Sequence, residues 1–172
     1  PERSEPYQSA EDFAQSYPFV GYHFSLVESI YKALGKLGAQ AQQDFGERSM
    51  LSIFQQALCS LAENECGELV PLYAFYESLE PCFGEAEQAL VKRAAGLVEL
   101  QPLDLLILKL LLLQRPLGTS VTLHDLATHA VTSLDMEKLS RKEALVGALR
   151  RLEALCLIAR DADKYSFLSG VE

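Results

Sequence analysis

Six basic side chains in the last third of the chain could contact phosphate groups. Arginine and lysine make most of the contacts by which proteins hold nucleic-acid backbones. Two acidic residues, Asp161 and Asp163, stand beside the last two of these cations and oppose their field. Sequence-independent phosphate contact is therefore one of three interpretations of this region, beside base reading and contact with a protein. The six candidates are Arg141, Lys142, Arg150, Arg151, Arg160 and Lys164.

The elements that carry these residues follow the order of a winged helix-turn-helix. Residues 103–113 (LDLLILKLLLL) are apolar except for Asp104 and Lys109, which is typical of a helix buried in a core. This run is about half of the roughly 20 residues that a bilayer span needs. Proline at position 116 ends the pattern, since proline cannot continue a helix.

Two capping signals and a turn complete the prediction for residues 101–172. Thr122 with Asp125 predicts the start of a second helix, and Ser140 with Glu143 is a capping box for a third. Residues 157–168 hold two short apolar runs around Asp-Ala-Asp-Lys, which predicts a β-hairpin, the wing.

The third of these helices has a small outer face. Its inward positions are predicted to be Leu145, Leu149, Leu152 and Cys156. The opposite face holds one acid and one base, whereas base reading favours Arg, Lys, Asn or Gln there. A protein partner is therefore the preferred interpretation, ahead of phosphate contact and of base reading. The predicted protein-interaction face consists of Val146, Gly147, Arg150 and Ala154, with Glu143 at its edge.

The earlier part of the chain predicts a polar linker and then a helical bundle. Residues 1–16 are the linker, with a helical turn capped by Ser9, and residues 17–100 are the bundle. Apolar spacing predicts helices over about 21–37, 47–63 and 84–97, with a short irregular segment at 69–76. In the second helix the residues expected to face inward are Leu51, Phe54, Leu58 and Leu61.

Charge and motifs exclude several classes of function. Residues 1–100 carry a net charge of −9 and residues 101–172 a net charge of 0, so a basic footprint for nucleic acid is lacking. No P-loop, GxGxxG, HExxH or GxSxG pattern occurs, and His23, His124 and His129 lack metal-ligand spacing. We expect no enzyme activity and no cofactor or metal in this chain. Four cysteines without a CxxC pair and no signal or membrane segment indicate a cytoplasmic protein with reduced thiols.

The order and spacing of several stretches resemble one family. These stretches are YPFVGYHFSLVESIYKALGKLGAQ, GERSM, LVPLYAFYESLE, LDLLILKLLLL and RRLEALCLIARDADKYSFL. Together they resemble the BrxC/PglY family of P-loop ATPases from BREX phage-defence systems, over roughly residues 16–170. The chain begins with proline and has no P-loop, so the resemblance implies an internal segment of a longer ATPase.

The resemblance implies an AAA+-like ATPase that uses ATP and Mg²⁺ in antiviral defence, together with other BREX proteins. It implies that residues 17–100 are a lid-like bundle, in which Gly46-Glu47-Arg48 would place Arg48 as a sensor-2 arginine near nucleotide phosphates. The alternative is that Glu47 and Ser49 cap a helix and that Arg48 forms a surface ion pair. Without the P-loop domain, we expect this chain to bind nucleotide weakly or not at all.

The function that follows is that of a regulatory and interaction segment, which couples the nucleotide state of the ATPase to a partner or to DNA. Expected partners are other BREX proteins, a second copy of the chain, or DNA without sequence preference. We expect no binding to a membrane. Two alternatives stay open at this point. The chain could be a winged-helix DNA-binding regulator, or it could be an oligomerisation module.

Overall fold

The computed structural model describes residues 9–37, 47–60, 67–132 and 138–168, with their side chains except at residues 37, 47, 48 and 138–141. Within these ranges the chain is mainly helical and carries one small antiparallel sheet. The helices are α1 (Ala10–Ser16), α2 (Tyr22–Leu37), α3 (Glu47–Cys59), α4 (Tyr76–Leu79), α5 (Glu85–Ala95), α6 (Pro102–Gln114), α7 (Leu123–His129) and α8 (Lys138–Ala154). Short 3₁₀ helices span Leu72–Phe75, Glu80–Cys82 and Arg115–Leu117. The strands are β1 (Val121–Thr122), β2 (Ile158–Asp161) and β3 (Lys164–Phe167).

The first helices begin and end where the sequence predicts. The Ser9 hydroxyl accepts a hydrogen bond from the Asp12 amide at 3.1 Å, which caps α1, and the helix ends before Tyr17-Pro18. In α2 the buried residues include Val27, Ile30 and Leu34, at the predicted helical spacing.

The orientation predicted for α3 is wrong. Leu51 is 60% exposed and Leu58 is 43% exposed, whereas Ile53 and Ala57 are buried. The helix is apolar on two adjacent faces, so spacing alone leaves the choice between them open. Contact with the 3₁₀ helix Leu72–Phe75 and with α4 selects the face of Ile53 and Ala57. Phe54 is partly buried at the edge of this contact, and Leu61 lies outside the described residues.

Helix α6 is the central core helix that the sequence predicts. Leu108, Leu110, Leu112 and Leu113 are each 0% exposed. The buried hydrophobic residues form one connected cluster from Val27 to Phe167, with α6 in contact with α5, α7, α8 and β3. The division into a bundle at 17–100 and a second domain at 101–172 stays a prediction.

A buried carboxylate at the start of α6 ties this helix to α8. Asp104 is 0% exposed and accepts two hydrogen bonds from Arg151, from Nε and from Nη2, each at 2.7 Å. The same carboxylate accepts the amide of Gln101 at 2.9 Å, and Arg151 Nη2 also donates to the Gln101 side chain at 3.2 Å. This bidentate pair restrains the rotation of α8 about its own axis, because it links Arg151 in the last turn of α8 to the first turn of α6.

Both ends of α8 differ from the prediction. The helix begins at Lys138, so Ser140 stands within its first turn and not before it as a cap. At the other end Cys156 is exposed and does not face the core as predicted. Its φ of 53° places it in the left-handed region, and Leu157 donates its amide to the Leu152 carbonyl at 3.0 Å. This is the Schellman pattern that ends many helices, and it buries Leu157 in place of Cys156.

The predicted hairpin is confirmed. Strands β2 and β3 pair antiparallel, with Asp161 opposite Lys164 and Ile158 opposite Phe167. The predicted cap of α7 is also confirmed, since the Asp125 amide donates to the Thr122 hydroxyl at 3.2 Å. The short strand β1 was not predicted from the sequence; it pairs with β3 and completes the order β1-β3-β2.

We expect Asp104→Ala to lower the free energy of unfolding by at least about 1 kcal/mol, which is the typical cost of losing a helix cap alone. The loss of the pair with Arg151 adds to this cost, because Asp104 has no exposed surface. Urea denaturation measures the difference. The matched control is Glu77→Ala, whose carboxylate pairs with Lys109 but is 56% exposed, and which should cost less than about 0.5 kcal/mol. Equal effects of the two substitutions would contradict the structural role of Asp104.

Candidate functional site

The outer face of α8 forms an open surface depression. We call this set the outer α8 face, and its lining residues are Lys142, Glu143, Val146, Gly147 and Arg150. They recur every three or four positions and therefore lie on one side of the helix, opposite the buried Leu145, Leu149 and Leu152. The sequence predicted four of these five residues to lie on this face. Ala154 is exposed at the end of the helix but does not line the depression.

Gly147 is the residue without a side chain among those that line the depression. A glycine within a helix lowers the stability of that helix by about 1 kcal/mol relative to alanine, so Gly147 does not stabilise α8 itself. A Cβ added at Gly147 would meet Arg151 Nη1 at 3.4 Å, which is an ordinary contact distance. The fold therefore tolerates a larger residue here, and the missing side chain leaves space that the backbone or a side chain of a partner could enter.

The charges on the outer α8 face are few and mixed. Lys142 and Arg150 are exposed cations, and Glu143 is an exposed anion between them. The two half-buried residues, Val146 and Gly147, separate these charges. Such a face suits a neutral or weakly acidic protein surface, with one carboxylate placed to meet Arg150.

The five predicted phosphate-contact residues whose side chains the structure describes lie on two parts of the chain, α8 and the β2–β3 hairpin. Arg151 is held by Asp104, which also raises the pKa of the guanidinium through the hydrogen bonds between them. Its Nη1 lies beside Gly147, 3.4 Å from where a Cβ on that residue would stand. Arg160 lies in the hairpin, donates to the Ala162 carbonyl at 2.9 Å and stands over the ring of Tyr165. Lys164 is exposed beside it. The side chains of Arg141 and of the predicted nucleotide sensor Arg48 lie outside the described residues.

Two of the three histidines are part of the core near α2. The ring of His23 is buried, and its Nδ1 accepts the Val20 amide at 3.2 Å. His129 Nδ1 lies 2.8 Å from Gln114 Nε2, and the ring of Tyr22 packs against both histidines. Burial lowers the pKa of His23 to about 3 and that of His129 to about 4. Within the described ranges, no three His, Cys, Asp or Glu side chains are grouped to hold a metal ion.

Comparison with known proteins leaves the family open. No protein-family model matches the chain, and no solved structure matches it. In the part of the chain that the structure describes, none of the helices combines the length and the apolar character that a bilayer crossing requires.

The lowered pKa values of His23 and His129 predict that the fold loses stability in acid. Their pKa values rise to about 6.5 on unfolding, so the unfolded chain binds protons that the folded chain does not. Above about pH 6.5 both histidines are neutral in the folded and in the unfolded chain, so they do not change the free energy of unfolding with pH. Below about pH 6.5 each histidine lowers the free energy of unfolding by about 1.4 kcal/mol per pH unit, until the pH reaches its folded pKa.

Urea denaturation between about pH 7 and about pH 5 checks this expectation. His23→Gln keeps an acceptor for the Val20 amide but does not titrate, so the dependence on pH should weaken by about half. A double variant with His129→Gln should remove most of the remaining dependence over this range. A dependence on pH that is the same in the wild type and in the double variant would contradict the lowered pKa values of these two rings.

Proposed function

We propose that residues 101–172 form a winged helix-turn-helix that docks on another protein through the outer α8 face. The order α6, α7, α8 and a β2–β3 hairpin beside β1 supports the winged-helix assignment. In that assignment α8 is the helix that would enter the major groove of DNA. The chain would act as an interaction segment without enzyme activity of its own.

The observation that carries this proposal is the presence of Gly147, which lacks a side chain, among the residues that line the depression on the outer α8 face. Interfaces need close approach, and a position without a side chain permits it. The half-buried Val146 offers apolar contact beside it, and Arg150 offers one charged donor at the rim.

DNA contact is the second candidate, and it is less well supported. Arg151 is engaged by Asp104, and Arg160 is engaged within its own hairpin. On the described part of the outer α8 face, Lys142 and Arg150 are opposed by Glu143. A duplex would meet two cations and one anion there, which is a small electrostatic contribution to binding.

The resemblance to the BrxC/PglY family suggests the setting of this docking. The chain would be a segment of a longer cytoplasmic AAA+ ATPase of a BREX system, which binds ATP and Mg²⁺ elsewhere in its sequence. Residues 17–100 would be the lid-like part of that ATPase, and Arg48 its sensor-2 residue. ATP turnover of the longer protein left unchanged by Arg48→Ala would contradict the sensor assignment.

Gly147→Gln in the longer ATPase tests the docking proposal. Glutamine is a better helix former than glycine, so the fold should be kept, while the side chain fills the depression. We expect its affinity for the partner among the other purified BREX proteins to fall at least tenfold, which is about 1.4 kcal/mol or more. Affinity is measured by biolayer interferometry with the ATPase immobilised.

The matched control is Val98→Gln, which changes a side chain that is 96% exposed and outside the outer α8 face. It should bind as the wild type does. Docking through this face is ruled out if Gly147→Gln and Val98→Gln both bind with wild-type affinity.

A further inference from the structure

One end of the Arg151 guanidinium is not used by the fold. Nε and Nη2 donate to Asp104, and Nη2 also donates to the Gln101 side chain. A guanidinium has five N–H donors, so the two that remain are both on Nη1. Among the described residues Nη1 has no acceptor, and the Arg151 side chain is 33% exposed. These two donors can therefore meet an acceptor from outside the chain.

Gly147 leaves space beside these donors. A Cβ at Gly147 would stand 3.4 Å from Arg151 Nη1. Apart from the two chain neighbours of Gly147, no other described side chain comes within 4 Å of that point. Gly147 also lines the depression on the outer α8 face. Nη1 thus borders open space at the surface, which a side chain at position 147 would narrow.

The charges at this end of the depression select an anionic acceptor. Charged donors make shorter and stronger hydrogen bonds to carboxylates than to neutral acceptors. Arg150 also lines the depression, is exposed, and has no ion pair within the described ranges. Glu143 stands four residues before Gly147, which is about 6 Å along the helix axis. Helical side chains lean towards the N-terminus, so Glu143 leans away from Gly147 while Arg151 leans back to it.

The same charges favour a single carboxylate over a polyanion. Asp104 compensates the charge of Arg151, so Arg150 is the cation that is left uncompensated beside Gly147. A nucleic-acid backbone presents a row of phosphates, whereas an aspartate or glutamate side chain presents one negative charge. Because the depression is open at the surface, a polypeptide can cross it. An acidic side chain along such a polypeptide is therefore the source that we infer.

We propose that an aspartate or glutamate side chain of the docked protein binds over Gly147, with its carboxylate on Arg151 Nη1 and Arg150. This inference rests on the docking function proposed above and names the chemistry of the partner. Asp104 is a positioning residue in this arrangement, since it holds the guanidinium whose Nη1 meets the ligand. Gly147 has a role in recognition, because it keeps that nitrogen accessible.

Two capped amino acids test this subsite in the absence of the partner. N-acetylglutamate methylamide carries the side-chain carboxylate, and N-acetylglutamine methylamide carries a neutral amide in its place. Each is added to the isotope-labelled 172-residue chain at constant ionic strength, and NMR follows the Arg151 guanidinium and the Gly147 amide. The glutamate compound should shift both signals saturably, with a dissociation constant on the order of 100 mM. The glutamine compound should bind at least threefold more weakly.

Gly147→Leu should abolish the response to the glutamate compound, because the leucine side chain fills the space beside Nη1. The fold should be kept, since leucine is a better helix former than glycine. The Arg151 guanidinium signals of the variant report whether the pair with Asp104 is intact. Ala154→Leu is the matched control, because it enlarges an exposed residue of the same helix outside the depression, and it should respond as the wild type does. Arg150→Gln should weaken binding at least threefold.

Three results would overturn the carboxylate subsite. They are the absence of a saturable shift with the glutamate compound, equal binding of the glutamine compound, and a response of Gly147→Leu equal to that of Ala154→Leu. Docking would still stand if Gly147→Gln lowered the affinity of the longer ATPase for its partner. Binding of the glutamate compound at Gly147, with partner affinity unchanged by Gly147→Gln, would support the subsite and contradict the docking function alone.

Discussion

The bidentate ion pair between Asp104 and Arg151 sets the geometry of the C-terminal part of the chain. Asp104 stands in the first turn of α6, the most buried helix, and Arg151 stands 47 positions later in α8. A buried carboxylate is costly without a partner that meets both of its oxygens, and the planar guanidinium does this. Because the guanidinium geometry is rigid, α8 has little freedom to rotate on the core, and the side that it presents outward is fixed.

The function that we propose depends on this fixed rotation. It holds Arg151 against the buried Asp104, so that this cation becomes a structural group. It also directs Gly147 outward, into the depression between Glu143 and Arg150. One interaction thus removes charge from the surface and leaves a small, weakly charged face, which favours a protein partner over a polyanion.

Local sequence patterns predicted the elements better than the surfaces. Three local features are confirmed: the largely apolar α6, the helical spacing of α2 and the hairpin after Leu157. The exposed side of α3 could not be predicted, since both of its faces are apolar and a distant segment chooses between them. The partner of Arg151 is 47 residues away, which no local pattern can reveal. Four residues of the outer α8 face were predicted because Leu145 and Leu149 already fix the inward side.

Lysine acetylation of the proposed longer ATPase, followed by mass spectrometry, distinguishes docking of a protein on the outer α8 face from docking of DNA. Lys142 lines the outer α8 face and Lys164 lies exposed in the hairpin, so the two native side chains report on different surfaces. The acetylation of each lysine is measured alone, with the proposed BREX partner proteins added, and separately with a random DNA duplex added. We expect the proteins to protect Lys142 but not Lys164, and the duplex to protect neither at moderate salt. Protection of both lysines by the duplex, with none by the proteins, would contradict docking on a protein through this face.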